Sequence, residues 1–255
     1  MKKRAVFFLE SMIFLQFALT GMRFLNYLTM SITFPWADTM LSGWDQVLGL
    51  DWVTYFEWVQ SSRFLIVLLD WSYLSLDFVT ALFLWVLLLL GEDRRARYFV
   101  DVFVSTALTC TIIGMFFPAK AAVVTYLGNV QSLAGFAQVP GVYHMDNILA
   151  LRESGPPVLD RMSMPGLVTF PSFHTAAGIL LICASYGTRL FIPVAIYAGV
   201  MIASTPVYGA HYFIDILAGT LIALAIAGAF AMAGQYRLLF PRLEGTTTAY
   251  PSGSI

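Results

Sequence analysis

Residues 168–235 read VTFPSFHTAAGILLICASYGTRLFIPVAIYAGVMIASTPVYGAHYFIDILAGTLIALAIAGAFAMAGQ, and most of them are apolar. A helix that crosses the hydrocarbon of a bilayer, about 30 Å thick, needs about 20 mostly apolar residues. Three such runs, 168–187, 190–208 and 212–235, follow one another here with short connections. The stretch therefore predicts three consecutive transmembrane helices, and it places two histidines and an aspartate at their ends.

Three further runs of similar length, at 5–31, 75–91 and 98–118, extend this pattern to the whole chain. Apolar residues make up 59% of the 255 residues and charged residues 11%, which leaves too little polar surface for a water-soluble domain. The sequence predicts an all-α polytopic membrane protein, with six transmembrane helices in a bundle and a single integral membrane domain over 1–255. A net charge of −1 argues against a nucleic-acid partner.

The segment between the first two spans has a different character. Apolar and aromatic residues alternate there with acids, which favours amphipathic helices lying at the membrane interface. The tryptophans of this region are predicted to lie at headgroup depth. The apolar stretch 63–69 is too short to cross a bilayer and could form a re-entrant segment. The residues concerned are Asp38, Asp45, Asp51 and Glu57, and Trp36, Trp44, Trp52 and Trp58.

The basic residues predict an orientation. With the N-terminus in the cytoplasm, the inside segments hold nine lysines and arginines and the outside segments four, as the positive-inside rule requires. Both termini are then cytoplasmic in a bacterial-type inner or plasma membrane. Segments 32–74 and 119–167 are extracytoplasmic, and 236–255 forms a cytoplasmic tail. The start of the fourth span and the junction of the fifth and sixth then share the extracytoplasmic face.

Two of the three histidines lie at that face. His211 and Asp215 are four residues apart, so a helix would place the carboxylate within reach of the imidazole Nδ1–H and leave Nε2 as a nucleophile or base. His174 follows Ser172 at a predicted helix start, where free backbone N–H groups favour an anion. A phosphate between the two histidines fits these residue types. A purely structural His–Asp pair and a capped helix start remain the alternatives.

The motifs PSFHT (171–175) and STPVYGAHYFIDILAG (204–219) resemble the P-S-G-H and S-R-x5-H-x3-D signatures of the type 2 phosphatidic acid phosphatase superfamily, the lipid phosphate phosphatases. The resemblance implies that His211 attacks phosphorus and forms a phosphohistidine. Asp215 would orient His211, and His174 would protonate the leaving alkoxide. Ser172 and the backbone at Phe173 would contact phosphate oxygens.

The chain also departs from those signatures. Phe173 replaces the glycine of the first motif, Thr205 replaces the arginine of the second, and Lys120 does not begin a K-x6-R-P motif. A phosphate dianion still needs positive charge, and Arg152 is the first candidate to supply it. The predicted substrate-binding residues are Ser172, Phe173, Arg152, Thr205 and Lys120. This arginine-poor pattern resembles the branch that contains inositol phosphorylceramide synthases.

The predicted function is a metal-independent, histidine-dependent lipid phosphatase or phosphotransferase that needs no cofactor. It would cleave a phosphoester or diphosphate of a lipid that reaches the extracytoplasmic face from the bilayer. A phospho-headgroup transferase of the inositol phosphorylceramide synthase type is the alternative within this class. From other classes, a di-histidine haem subunit and a non-catalytic lipid transporter remain open. The sequence does not predict an oligomeric state.

Three other ionisable residues are less easily assigned. His144, beside Asp146 in the segment 119–167, is predicted to be a solvated loop histidine, with a catalytic or substrate-contact role as the alternative. Glu10 and Arg23 fall inside the first span, where charges are costly. They are predicted to face other helices or the interface, with a substrate entrance as the alternative.

Overall fold

The structure, a computed structural model, describes residues 2–128, 132–154 and 165–232, and every regular element in these ranges is an α-helix. The predicted all-α class is confirmed. The predicted tail 236–255 lies outside the described residues. In chain order the helices are α1 (Lys2–Met30), α2 (Asp38–Val47), α3 (Trp52–Gln60), α4 (Arg63–Leu74), α5 (Leu76–Leu89), α6 (Asp93–Phe116), α7 (Ala122–Leu127), α8 (Met145–Ser154), α9 (Phe173–Ser185), α10 (Phe191–Tyr208) and α11 (Phe213–Met232).

Four of these helices are long and apolar enough to cross a membrane, namely α1 over Ala5–Met30, α6, α10 and α11. They coincide with four of the six predicted spans. Helices α4 and α5 reach the required length only as a pair, and the pair is bent by 59°. Six spans are therefore not confirmed: the described residues hold four candidate spans, or five if the bent pair counts as one.

The predicted span at 75–91 corresponds to α5, whose 14 residues are too few for a candidate span without α4. It is the second half of a broken element whose first half, α4, contains the stretch 63–69. Ser75 stands at the break, where its hydroxyl donates to the Ser72 carbonyl oxygen at 3.0 Å and lies 3.0 Å from the Tyr197 hydroxyl. A serine hydroxyl that bonds back to the preceding turn often accompanies a bend in a helix.

Helix α9 is also shorter than predicted. The span expected over 168–187 is a helix of 13 residues, too short to be counted as a candidate span. Pro171 limits its start, since proline has no N–H and disfavours helical geometry in the residue before it. Gly187, with φ of 76°, lies in the left-handed region just beyond its end. Helix α9 packs against α6, α10 and α11, which makes it the central helix of the bundle.

The starts of α9 and α11 touch each other. The Ser172 backbone N–H donates to the Asp215 carbonyl oxygen at 3.1 Å. A side chain at Gly219 would place its Cβ 2.3 Å from the Ser172 carbonyl oxygen, so only glycine allows this approach. The contact places His174, in the first turn of α9, next to the His211–Asp215 segment.

The segment that is predicted to hold interfacial helices contains α2 and α3. The side chains of Trp44 and Trp58 are 40% and 54% exposed, but that of Trp52 is 1% exposed. Trp52 stacks on Tyr126 at a centroid distance of 5.4 Å, and its indole N–H donates to the Pro206 carbonyl oxygen at 3.2 Å. Trp52 therefore packs into the helical bundle, whereas Trp44 and Trp58 are exposed.

Candidate active site

The His211–Asp215 pair forms at the start of α11. The Nδ1–H of His211 donates to Asp215 Oδ2 at 3.1 Å, and both side chains are buried. Helix α11 begins only at Phe213, so the two residues do not stack on one helix face as their spacing suggests. Asp215 is instead the third helical residue and reaches back to the Tyr212 N–H, also at 3.1 Å, as in a capping box. The pairing leaves His211 Nε2 free of the carboxylate.

A second carboxylate holds the same helix end. Asp45 of α2 accepts hydrogen bonds from the Phe213 N–H at 2.9 Å and the Ile214 N–H at 2.8 Å, one on each oxygen. Burial raises the pKa of Asp45, and the two backbone donors oppose that shift. The sequence pattern treats Asp45 as one acid of an interfacial helix. Its role as a cap of α11 depends on a contact across 168 positions, which no local pattern signals.

Asp38, at the start of α2, fixes the residue next to His211. Its carboxylate accepts from the Tyr212 hydroxyl at 2.8 Å and from the Lys120 backbone N–H at 3.0 Å. Helix α2 thus contributes two carboxylates to the segment 212–214, and Ala210 before it has a left-handed φ of 63°. These contacts fix the backbone on both sides of the His211 ring.

We expect Asp45→Ala to lower the free energy of unfolding by about 1–3 kcal/mol, because it leaves two buried backbone N–H groups without an acceptor. Enzymatic turnover should fall as well, because His211 lies directly before the first turn of α11, which the substitution destabilises. Asp45→Asn keeps one acceptor oxygen and should lie between wild type and Asp45→Ala. Thermal unfolding and kcat measured on the same preparations test this.

Asp51→Asn is the matched control, because Asp51 caps α3 through the Thr54 N–H and is exposed. It should leave kcat unchanged. An Asp45→Ala protein with the unfolding temperature and kcat of wild type would contradict the role assigned to Asp45.

His174 occupies the second helical position of α9. The helix is capped by the Ser172 hydroxyl, which accepts from the Thr175 N–H at 3.3 Å. The imidazole stacks on the ring of Tyr73, with centroids 4.1 Å apart and planes at 13°. The Tyr73 hydroxyl in turn lies 3.0 Å from that of Tyr143. The orientation of the His174 ring is therefore fixed from the break between α4 and α5.

His174 and His211, 37 positions apart in the chain, line one cavity of about 450 Å³. Its lining combines apolar side chains of α1, the α4–α5 break and α6 with charged and polar groups, which include the two histidines, Arg23 and Asn26 of α1, and Asp77 of α5. Such a cavity suits a ligand with one charged end and one apolar end. It is lined by Leu19, Met22, Arg23, Asn26, Tyr73, Leu74, Leu76, Asp77, Ala107, Cys110, Thr111, Tyr143, Gly166, Val168, Phe173, His174 and His211.

The predicted substrate-binding residues lie in different places. Phe173 lines the cavity. Ser172 and Thr205 are buried but are not among its described lining residues, and the Thr205 hydroxyl donates to the Ile202 carbonyl oxygen at 2.8 Å. Neither Arg152 nor Lys120 is among the described residues that line the cavity.

Arg152 and Lys120 lie against a common aromatic ring. The Arg152 guanidinium carbon is 4.0 Å, and the Lys120 ammonium 5.5 Å, from the centre of the Trp36 ring. Arg152 also donates to the Phe34 carbonyl oxygen. Both cations are thus already engaged in contacts with the segment between α1 and α2.

His144 is not the solvated loop histidine that the sequence predicts. Its side chain is 1% exposed and its Nε2 lies 2.6 Å from the Lys120 carbonyl oxygen, while Nδ1 has no partner among the described residues. Burial lowers the pKa of His144 to about 4, so the ring is neutral at physiological pH. The Nε2–H therefore donates to Lys120.

Possible metal ligands do not cluster within the ranges that the structure describes, where no group of three or more His, Cys, Asp or Glu residues converges. His174 and His211 line the cavity, and the Nδ1 atom of His211 is bonded to the Asp215 carboxylate, a pairing that can orient an imidazole for acid–base or nucleophilic chemistry.

Most of the chain matches the model of a known protein family. A family model described as the PAP2 superfamily matches residues 39–229. No curated protein and no solved structure shows significant similarity to the chain. The matched region includes His174, His211 and Asp215, whereas α1 lies outside it.

Proposed function

Because the chain belongs to the PAP2 superfamily, whose model matches residues 39–229, we propose that it is an integral membrane phosphatase or phosphotransferase that acts on a lipid phosphate through a phosphohistidine. The observation that supports this most directly is the shared cavity of His174 and His211, with Asp215 bonded to Nδ1 of His211. The substrate is a phosphoester or diphosphate whose apolar part stays in the bilayer.

In the first step, the Nε2 lone pair of His211 attacks phosphorus and forms an N–P bond. The bond between phosphorus and the ester oxygen breaks, and the leaving alkoxide takes a proton from His174. Asp215 keeps the proton on Nδ1, which holds the nucleophilic lone pair on Nε2 and stabilises the positive charge that develops on the ring.

In the second step, a hydroxyl group attacks the phosphohistidine. His174, now neutral, accepts the hydroxyl proton, the new O–P bond forms, and the N–P bond breaks, so that His211 returns to its starting state. Water as the acceptor gives a phosphatase. A lipid or inositol hydroxyl gives a phosphotransferase.

The substrate reaches the histidines along the apolar side of the cavity. Leu19 and Met22 of α1 and Leu74 and Leu76 at the α4–α5 break line that side, which suits an acyl or prenyl tail. The distribution of basic residues supports an extracytoplasmic site, with both termini in the cytoplasm. The cavity would then receive lipid laterally from the outer leaflet.

A second cavity favours transfer to a second substrate. It has a volume of about 740 Å³ and shares Tyr73, Leu74 and Tyr143 with the first. Arg63 and Asp70 are its charged lining residues. An acceptor hydroxyl in this cavity would approach His174 from the Tyr73 side. This is the specific support for a phospho-headgroup transferase, and the inositol phosphorylceramide synthase type is one form of it.

The products identify the reaction. Purified protein should be supplied with phosphatidic acid, with a prenyl diphosphate, and with phosphatidylinositol plus ceramide. We expect inorganic phosphate from one of the first two for a phosphatase, and a phosphorylated ceramide only in the presence of both lipids for a transferase. An absence of product and of acid-labile labelled enzyme from all three would contradict the proposed function.

A further inference from the structure

Helix α1 contributes one continuous face to the cavity of the two histidines. Leu19, Met22, Arg23 and Asn26 are spaced by three, one and three residues, which places them on one side of a helix. Asn26 is tied to the segment before α9, because its side-chain oxygen accepts from the Leu167 N–H at 2.8 Å. The inner face of α1 is thus anchored beside the candidate active site.

Arg23 is the residue on this face that needs an explanation. A guanidinium inside a membrane span is costly unless it meets a counter-charge or a wet cavity. Within the described ranges Arg23 makes no hydrogen bond or ion pair, although Asp77 lines the same cavity. Its side chain is exposed, so its donors are available to a ligand in the cavity.

No other strong cation lines the cavity within the part of the chain that the structure describes. Among its described lining residues, Arg23 is the only lysine or arginine. Arg152 and Lys120 lie against Trp36, and Arg63 lines the second cavity. A phosphoryl group between His174 and His211 carries negative charge on its non-bridging oxygens, and a guanidinium matches two of them in a fork geometry.

We propose that Arg23 binds the non-bridging phosphoryl oxygens of the substrate and thereby completes the site with a residue from the first transmembrane helix. The inference rests on the proposed function for the identity of the substrate as a lipid phosphate. It concerns a residue outside the region shared with the family, since the match begins at residue 39. The cation that the motifs at 171–175 and 204–219 lack is in this way supplied by α1.

The test compares Arg23→Gln and Arg23→Lys with Arg63→Gln, which removes the cation of the second cavity. The KM for the lipid phosphate and the Kd for orthovanadate are measured on each protein, the latter by calorimetry without turnover. Arg23→Gln should raise both constants at least about tenfold, because a charge-assisted hydrogen bond contributes about 1.5–3 kcal/mol. Arg23→Lys should show a smaller increase, and Arg63→Gln should keep the wild-type Kd for vanadate.

The outcomes separate this inference from the proposed function. Vanadate binding that weakens in Arg23→Gln supports the role of Arg23 even if no lipid phosphate is turned over. An Arg23→Gln protein that binds vanadate as tightly as wild type overturns it, and so does a wild-type protein that binds no vanadate. If Arg23→Gln fails to insert into the membrane, Arg23→Lys is the deciding variant. Lysine keeps the charge but lacks the fork of the guanidinium, so a wild-type Kd and KM for Arg23→Lys would overturn bidentate binding.

Discussion

Replacement of His211 by alanine is expected to abolish phosphate release and transfer, with a loss of about 10⁴-fold or more in turnover. The Nε2 lone pair is the only protein nucleophile that the proposed mechanism uses, and Asp215 has no ring to orient in the variant. Enzyme incubated briefly with ³²P-labelled lipid phosphate and then denatured should carry acid-labile label in the wild type and none in His211→Ala. Product formation measures the loss of turnover, and retained label measures the loss of the phosphohistidine.

His144→Gln is the matched control, since His144 is also a buried histidine with one ring nitrogen bonded to a protein group. It should insert into the membrane, accept the label and turn over. His211→Asn guards against a folding defect, because it keeps a polar side chain beside Asp215. Acid-labile label in either His211 variant would assign the phosphoenzyme to another residue and contradict the mechanism.

Four of the predicted spans coincide with candidate membrane-spanning helices, because the length and composition of an apolar run depend only on local sequence. α1, α6, α10 and α11 are apolar over the full length that a bilayer requires, and the criterion needs no knowledge of neighbours. The spans at 75–91 and 168–187 were not confirmed, for two different reasons. Pro171 and Gly187, both local signals, limit α9 to 13 residues. The break at Ser75 instead involves a contact with Tyr197, which is 122 positions away. Apolar composition does not report such contacts.

The candidate site likewise combines local features, which the sequence predicts, with tertiary contacts, which it does not predict. The spacing of His211 and Asp215 fixes their pairing within one turn of chain, so the sequence alone suggested it. Asp45 and Tyr73 contact the site only through tertiary packing, as a cap of α11 and as the ring stacked on His174. In the sequence, Asp45 is one of several acids in a predicted interfacial helix. The N-terminus of α11 needs an acceptor for its free N–H groups, but no residue near Asp45 indicates that Asp45 supplies it.

Arg23 shows the limit of motif reasoning most clearly. The family signatures direct attention to positions where a cation is expected, and Thr205 stands at one of them. A charge can serve the same ligand from another helix, provided that the bundle brings it to the same cavity. The sequence left a substrate entrance as one alternative for Arg23, and only the shared cavity relates that residue to His174 and His211.

His174→Ala is expected to separate the two proton transfers of the mechanism. With an alkyl phosphate, the leaving alkoxide is a strong base, so loss of the acid should lower turnover by about 10²–10⁴-fold. With a nitrophenyl phosphate that carries an alkyl chain, the leaving group needs no proton. The first step should then survive, and a burst of nitrophenol equal to the enzyme concentration should appear.

After the burst, turnover of the nitrophenyl substrate should stop, because the variant lacks the base that activates the acceptor hydroxyl. The phosphohistidine should therefore accumulate to near one per enzyme, and hydroxylamine or another strong nucleophile should release it. Tyr73→Phe, which keeps the ring stacked on His174 but removes the hydroxyl bond to Tyr143, should retain both steps. Equal losses in the burst and in steady state would show that His174 only positions the substrate, because a residue that transfers no proton has no reason to distinguish the two leaving groups.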